Sequence, residues 1–175
     1  MVEVIDDYLS PRDFNHIQKM ILHSSFPWNY NQDVNFEGDG KVQFTHSIYK
    51  AYEPHSPYFN ELGAFLNKLQ PISIIRIKLN LLPKATEIIE HGYHIDTFNY
   101  PEGMKTGILY INGNDGYTGF KDGTKVESVP NRFVSFDGGM PHTGTTSTNA
   151  RRVVLNINYM EEGPMRDREG KDYEG

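Results

Sequence analysis

The chain has 175 residues, enough for one domain with its own hydrophobic core, and it contains no cysteine, which excludes disulfides and thiolate chemistry. Its formal net charge is −6, and the sequence has neither a basic stripe for nucleic acid nor a run of about 18 apolar residues for a membrane. We therefore expect a cytoplasmic protein that binds a peptide or a small molecule, and the oligomeric state stays open.

Two helices are expected in the N-terminal part of the chain. Ser10 and Pro11 have the residue types of a helix start, and this first helix should end near His23. A second helix should start at Ser56 and Pro57. Each helix has one apolar stripe that needs a sheet to cover, formed by Phe14, Ile17, Met20 and Ile21 in the first helix and by Phe59, Leu62, Phe65, Leu66 and Leu69 in the second.

The segment between these helices, residues 31–56, is polar, aromatic and rich in loop-forming residues. Two interpretations stay open for it, a lid over a substrate and a surface hairpin.

The periodicity changes to that of strands after Pro71, where apolar and polar residues partly alternate over 72–82. Further strands are predicted between turn signals, at 104–112, 117–121, 125–129, 132–137 and 151–160. Helices followed by many short strands predict a mostly β domain, a jelly-roll barrel with the helices on its outer face. A β-sandwich without a central site is the alternative. We expect one domain over residues 1–160 and a polar, disordered tail over 161–175.

Three residues form a candidate metal site. His94 and Asp96 are two positions apart, so on a strand both side chains point to the same face. His142 follows a glycine-rich turn and is the third candidate ligand. Two histidines and one carboxylate leave three positions of a metal open, which is typical of non-haem Fe(II) oxygenases. His91 is interpreted as a structural neighbour; as a ligand it would make the site resemble that of a cupin.

Further segments extend this pattern, and their ordered set resembles the Fe(II)/2-oxoglutarate-dependent dioxygenase superfamily, most closely its prolyl 4-hydroxylase-like branch. The resemblance covers residues 72–160 and depends on Leu82-Pro83, residues 90–96, 108–112 and 129–136, Pro141-His142 and residues 152–156. It implies a double-stranded β-helix buttressed by the N-terminal helices. It also implies Fe(II) held by His94, Asp96 and His142, 2-oxoglutarate as co-substrate, O2, and ascorbate as a further candidate cofactor.

The resemblance further implies a basic residue on the last core strand that pairs with the distal carboxylate of 2-oxoglutarate. Strand parity favours Arg152 over Arg151, because Arg152 shares the mixed face of that strand and the apolar face should cover the helices. A planar guanidinium binds a carboxylate through two hydrogen bonds. Tyr110 is a second candidate for this carboxylate, with simple core packing as its alternative, and Asn80 is a third.

The function implied is hydroxylation of a C–H bond coupled to 2-oxoglutarate turnover. Likeness to prolyl hydroxylases favours a peptidyl proline as substrate. A small metabolite and a modified base remain alternatives, as does a cupin-like metal protein without 2-oxoglutarate chemistry.

Overall fold

The computed structural model describes residues 1–34, 41–97 and 101–161. The helices within these ranges are α1 (Pro11–Leu22), a 3₁₀ helix (Pro57–Leu62) and α2 (Gly63–Leu69). The strands β1 to β6 are Glu3–Ile5, Asn29–Asn31, Gln43–Lys50, Glu53–Pro54, Ser73–Leu82 and Met104–Tyr110. The strands β7 to β11 are Tyr117–Phe120, Lys125–Glu127, Phe133–Asp137, His142–Gly144 and Arg152–Met160. The expected tail falls mostly outside the described residues, which end at Glu161.

The first helix begins where the sequence predicted. The Ser10 hydroxyl accepts a hydrogen bond from the Asp13 N–H at 3.2 Å, so it satisfies one of the free donors of the first turn. Phe14, Ile17 and Ile21 are buried on one face. None of the helices in the described part of the chain is long and apolar enough to cross a membrane.

The second expected helix is divided in two. Ser56 starts it as predicted, accepting from the Tyr58 N–H, but the first six residues form the 3₁₀ helix and only then does α2 begin at Gly63. Short 3₁₀ turns are common at helix starts. α2 ends at Gln70, which has a left-handed backbone conformation.

The segment 31–56 contains a long strand that the sequence analysis did not predict. β3 is paired with β5 on one side and with β2 on the other, so both of its edges lie inside a sheet. Polar residues are buried along it: the two ring nitrogens of His46 contact the Pro27 carbonyl at 2.7 Å and the Ser56 hydroxyl at 2.8 Å. Because its buried positions include such satisfied polar side chains, β3 lacks the alternation that identifies a strand.

Two antiparallel sheets form the jelly roll. The larger has eight strands in the order β1-β9-β6-β11-β5-β3-β2, with β4 paired to β3, and the smaller has the order β10-β7-β8. The buried residues of α1 belong to the same core cluster as Val153, Leu155, Ile157 and Tyr159 on one face of β11. Ile108, Val134 and Val154 on the opposite face pack with Phe120 and Val126 of the smaller sheet. The mostly β fold with helices on one side is therefore confirmed.

Asn131 joins the N-terminal segment to the turn before β9. Its side chain accepts from the Leu9 N–H and donates to the Leu9 carbonyl, both at 2.9 Å, and its φ is 63°. We expect Asn131→Ala to lower the free energy of unfolding by about 2–3 kcal/mol, because it loses both hydrogen bonds and forces alanine into the left-handed region.

The control is Asn131→Gly, which removes the same hydrogen bonds but tolerates the backbone conformation. Urea unfolding should place it between the wild type and the alanine variant. Equal midpoints for all three proteins would contradict this account.

Candidate metal centre

The two candidate histidines are joined through their backbones. The His94 N–H donates to the His142 carbonyl at 2.9 Å, and the His142 N–H donates to the His94 carbonyl at 3.0 Å. The two residues are therefore a directly opposed antiparallel pair, although they are far apart in sequence. Their rings lie with centroids 4.8 Å apart, so this pairing brings both imidazoles to one place.

Each imidazole is oriented by a carbonyl two residues earlier in the chain. His94 Nδ1 lies 3.3 Å from the Gly92 carbonyl, and His142 Nδ1 lies 3.1 Å from the Met140 carbonyl. A carbonyl accepts a hydrogen bond, so in both histidines Nδ1 is the donor and Nε2 is the ring nitrogen that faces away from it. Both Nε2 atoms are close to Asp96: His94 Nε2 is 3.9 Å from Oδ1, and His142 Nε2 is 3.8 Å from Oδ2.

Three side chains of the larger sheet hold the Asp96 carboxylate. Arg76 Nη2 lies 2.9 Å from Oδ1, while the amides of Asn156 and Asn158 donate to Oδ2 at 3.0 and 3.2 Å. Burial by itself would raise the pKa of Asp96, but Arg76, His142 and the two amides together hold this pKa well below its usual range. Asp96 is therefore ionised at neutral pH.

His142 is held in its neutral form. Its exposed fraction is only 3%, and the edge of Phe136 packs against the imidazole with centroids 4.8 Å apart. Burial lowers the pKa of His142, and the attraction of Asp96 opposes this shift without reversing it. A neutral imidazole is the form that binds a metal ion.

The donor set fits Fe(II). One ligand atom from each of His94, Asp96 and His142 lies within 4.8 Å of the others, and the carboxylate is ionised while His142 is neutral. Two nitrogens and one oxygen leave further coordination positions open for a co-substrate and O2. Among the described residues, His91 is not part of this cluster, although it is buried and lines the same cavity.

Arg152 lies at another part of the cavity. Its guanidinium is buried, with Nε donating to the Ser128 hydroxyl at 3.1 Å and Nη2 donating to the Thr118 hydroxyl at 3.0 Å. Gly116 and Gly144 make room for it, because a Cβ at Gly116 would come within 2.8 Å of Arg152 Cδ and one at Gly144 within 3.3 Å of Nη1. In the described ranges, no carboxylate forms an ion pair with this arginine.

The other residues predicted for the co-substrate occupy different positions. Arg151 is exposed and donates to the Leu22 carbonyl, on the helix side of β11. Tyr110 is fully buried and does not line the cavity; its hydroxyl donates to the Thr118 hydroxyl at 2.8 Å, so it positions a cavity residue. Asn80 lines the cavity, and its buried Oδ1 accepts no hydrogen bond from the described residues.

Strand parity in the sequence indicated one group of further cavity residues, whereas a second group had no signal in the sequence. Lys78 lines the cavity, and burial lowers its pKa to about 8, with the Arg76 charge adding to this effect and Asp96 opposing it. The alternation along 72–82 had already placed Arg76, Lys78 and Asn80 on one face, so strand parity was the available signal. Thr118 and Ser128 have no such local signal, because only tertiary folding brings them to Arg152.

Comparison with known proteins establishes the fold. No protein-family model and no curated protein matches the sequence. Among solved structures, a Pseudomonas putida prolyl-4-hydroxylase is similar over 91% of this chain and 92% of its own, with a TM-score of 0.65 and 14% identity. A 2OG-Fe(II) oxygenase family oxidoreductase from Burkholderia pseudomallei also has a TM-score of 0.65, at 13% identity over 93% of this chain and 86% of its own.

A third similar structure is a Trichoplax adhaerens prolyl hydroxylase in complex with a peptide fragment of the hypoxia inducible factor oxygen degradation domain. It has a TM-score of 0.65 at 11% identity, covering 91% of this chain and 83% of its own. The chain therefore has the jelly-roll fold of the 2-oxoglutarate-dependent Fe(II) oxygenases, and within that fold it carries a His-x-Asp…His set.

Lys78 provides a pH-dependent test of the cavity. Its pKa is about 8 in the folded chain against an ordinary value of 10.5, so the unfolded chain binds more protons between these two pH values. The penalty for burying the charge is fully present below pH 8, and the free energy of unfolding rises as the pH increases towards 10.5. We expect Lys78→Met to stabilise the metal-free protein by about 2–3 kcal/mol at pH 7, and by far less near pH 10.5.

The exposed Lys121 is the matched control. Lys121→Met should change the stability by no more than about 0.5 kcal/mol at either pH. Urea unfolding of both variants at the two pH values measures these effects, and a Lys78→Met effect that does not change with pH would contradict the burial of a charged amine.

Proposed function

We propose that the protein is an Fe(II)- and 2-oxoglutarate-dependent dioxygenase that hydroxylates a C–H bond of its substrate. The observation that carries this proposal is that two features lie in the same cavity. One is the convergence of His94, Asp96 and His142, and the other is the buried Arg152 without a carboxylate partner among the described residues. A metal protein of the cupin kind has no use for this arginine, and the additional ligand expected of it, His91, does not join the cluster.

In this proposal Fe(II) is held by His94, Asp96 and His142, and the distal carboxylate of 2-oxoglutarate is held by Arg152. The Thr118 hydroxyl accepts from Arg152 Nη2 at 3.0 Å and contacts the Tyr110 hydroxyl at 2.8 Å, so it helps to hold the guanidinium in place in the cavity. When bound, the metal, the keto acid and O2 supply the oxidative decarboxylation that drives hydroxylation. Among the described residues no donor reaches the buried Oδ1 of Asn80, which supports a role for this side chain in binding a ligand in the cavity.

The protein contributes position and charge. Arg76, Asn156 and Asn158 hold Asp96 ionised and fix its orientation before any ligand binds. The guanidinium of Arg152 is desolvated and already oriented by two hydroxyls, so little ordering remains when a carboxylate reaches it. The walls supplied by Ile108, Val154 and Leu82 are apolar, which strengthens these charge interactions by excluding water.

A peptidyl proline is the first substrate to test. The support for it is the similarity in fold to prolyl hydroxylases, one of which is described in complex with a peptide fragment. Succinate release in the presence of proline-containing peptides, free amino acids, other small metabolites and modified bases tests this substrate against its alternatives. Ascorbate is added and omitted in the same assay. We also propose that the protein is located in the cytoplasm.

Removal of Asp96 should abolish metal binding. Replacing it with alanine deletes one of three ligands and leaves Arg76 without its carboxylate. Loss of a group that only supports a ligand costs about 10- to 100-fold in metal affinity, so Asp96→Ala should weaken Fe(II) binding by more than about 100-fold and eliminate turnover. Anaerobic calorimetric titration measures the affinity, with the exposed Glu102→Ala as control. Full turnover in the Asp96 variant would refute the metal assignment.

Removal of the Arg152 guanidinium should weaken the binding of 2-oxoglutarate. A visible absorption band is expected only when Fe(II) and 2-oxoglutarate are both bound, and its titration gives the dissociation constant. Truncating one partner of a buried charge pair costs about 2 kcal/mol or more, so Arg152→Met should raise this constant by at least about 30-fold. The neighbouring Arg151→Met is the matched control and should leave it within about twofold of the wild type, because an exposed charge contributes little. Equal effects of the two variants would contradict the role of Arg152.

A further inference from the structure

Two cations of the cavity have no carboxylate partner in the described part of the chain. Arg76 is paired with Asp96, but neither Arg152 nor Lys78 forms an ion pair with any residue in 1–34, 41–97 or 101–161. Lys78 also has no side-chain hydrogen bond within these ranges, although it lines the cavity and is at least partly buried. Burying a charge without a partner costs free energy. A binding site whose charged partner is a ligand carries this cost until the ligand binds.

Lys78 is not needed to neutralise Asp96. Oδ1 of that carboxylate is already paired with Arg76 at 2.9 Å, and Oδ2 already accepts from Asn156 and Asn158. The role of Lys78 in the fold is therefore not explained by the metal ligands.

Lys78 lies far along the strand from Arg152, the residue proposed to bind the distal carboxylate of 2-oxoglutarate. In the pairing of β5 with β11, Lys78 lies opposite Asn156, which contacts Asp96, whereas Leu82 lies opposite Arg152. Four residues of a strand span about 13 Å, so the backbone of Lys78 is at the level of the metal ligands and not at the level of Arg152.

The charges of the cavity leave a surplus of two positive units. Among the described residues, the lining cations Lys78 and Arg152 and the Asp96 partner Arg76 contribute +3 and Asp96 contributes −1, which gives +2. Fe(II) with charge +2 and 2-oxoglutarate with charge −2 cancel each other, so the loaded cavity would keep this surplus. A low-dielectric cavity with excess positive charge favours an anionic occupant.

We propose that Lys78 binds an anionic oxygen group of the primary substrate, a carboxylate or a phosphate, at the metal end of the cavity. This inference rests on the proposed oxygenase function and specifies its substrate class. A peptidyl substrate would then present an acidic side chain or a terminal carboxylate beside the hydroxylated residue. Substrate recognition also accounts for a partly buried ammonium that has no carboxylate partner among the described residues.

The direct test measures whether small anions protect Lys78. The protein is loaded with Zn(II) and saturated with 2-oxoglutarate, then reductively methylated with formaldehyde and cyanoborohydride at pH 8. Acetate, inorganic phosphate or chloride is present at equal ionic strength, and the methylation of each lysine is followed by mass spectrometry. We expect acetate or phosphate to slow methylation of Lys78 at least threefold relative to chloride, with Lys121 unchanged as the internal control. The stronger protector identifies the source of the anionic group.

Equal methylation of Lys78 in all three salts would overturn the proposal. The same comparison is made on metal-free protein without 2-oxoglutarate. If the wild type shows no absorption band with Fe(II) and 2-oxoglutarate but anions still protect Lys78, the oxygenase function fails and the anion site stands.

A second measurement separates substrate binding from co-substrate binding. Lys78→Met should leave the dissociation constant of 2-oxoglutarate within about twofold of the wild type, and a tenfold or greater increase would make Lys78 a co-substrate contact and overturn the proposal. Compounds that stimulate succinate release should carry a carboxylate or phosphate, and their KM should rise at least tenfold in Lys78→Met but not in Lys121→Met. Stimulation by carboxamide analogues as strong as that by the matched acids would also overturn it.

Discussion

The backbone pair between His94 and His142 is the constraint on which the site depends. Two antiparallel hydrogen bonds join residues that are distant in sequence, so the same backbone pair places both imidazoles. Asp96 is placed by the same short segment, because it follows His94 by two residues. The candidate metal ligands therefore depend on main-chain pairing, and side-chain packing such as that of Phe136 only refines their orientation.

The larger sheet supplies the charges that complete this arrangement. Its inner face carries Arg76 and Lys78 on β5 and Arg152, Asn156 and Asn158 on β11, opposite an outer face that is apolar and covered by α1. Arg76 and the two amides stabilise the carboxylate of Asp96, whereas Arg152 and Lys78 form no ion pair with the described residues. The two faces of the sheet thus differ: apolar side chains pack in the core on the helix side, and charged and polar side chains lie on the cavity side.

Residue patterns predicted much of this arrangement because they reflect local geometry. The alternation along 151–160 assigned Val153 and Leu155 to the helices and Arg152 to the cavity, and the structure has this parity. The start of α1 followed from Ser10 and Pro11 for the same reason. β3 escaped prediction because its buried polar residues are satisfied by partners such as Pro27 and Ser56, which are brought near only by folding.

The sequence by itself determined the mostly β class, the first helix and the long strands after Pro71, since each depends on spacing within a short segment. It also named the three candidate ligands, two from local spacing and His142 from the glycine-rich turn before it. Tertiary structure alone decided which groups meet. It placed Thr118 and Ser128 on Arg152, put Tyr110 outside the cavity wall and left Lys78 without a counter-charge among the described residues. The physical reason is that hydrogen bonds and ion pairs across a barrel join strands whose register is set by the whole sheet, and no local pattern records that register.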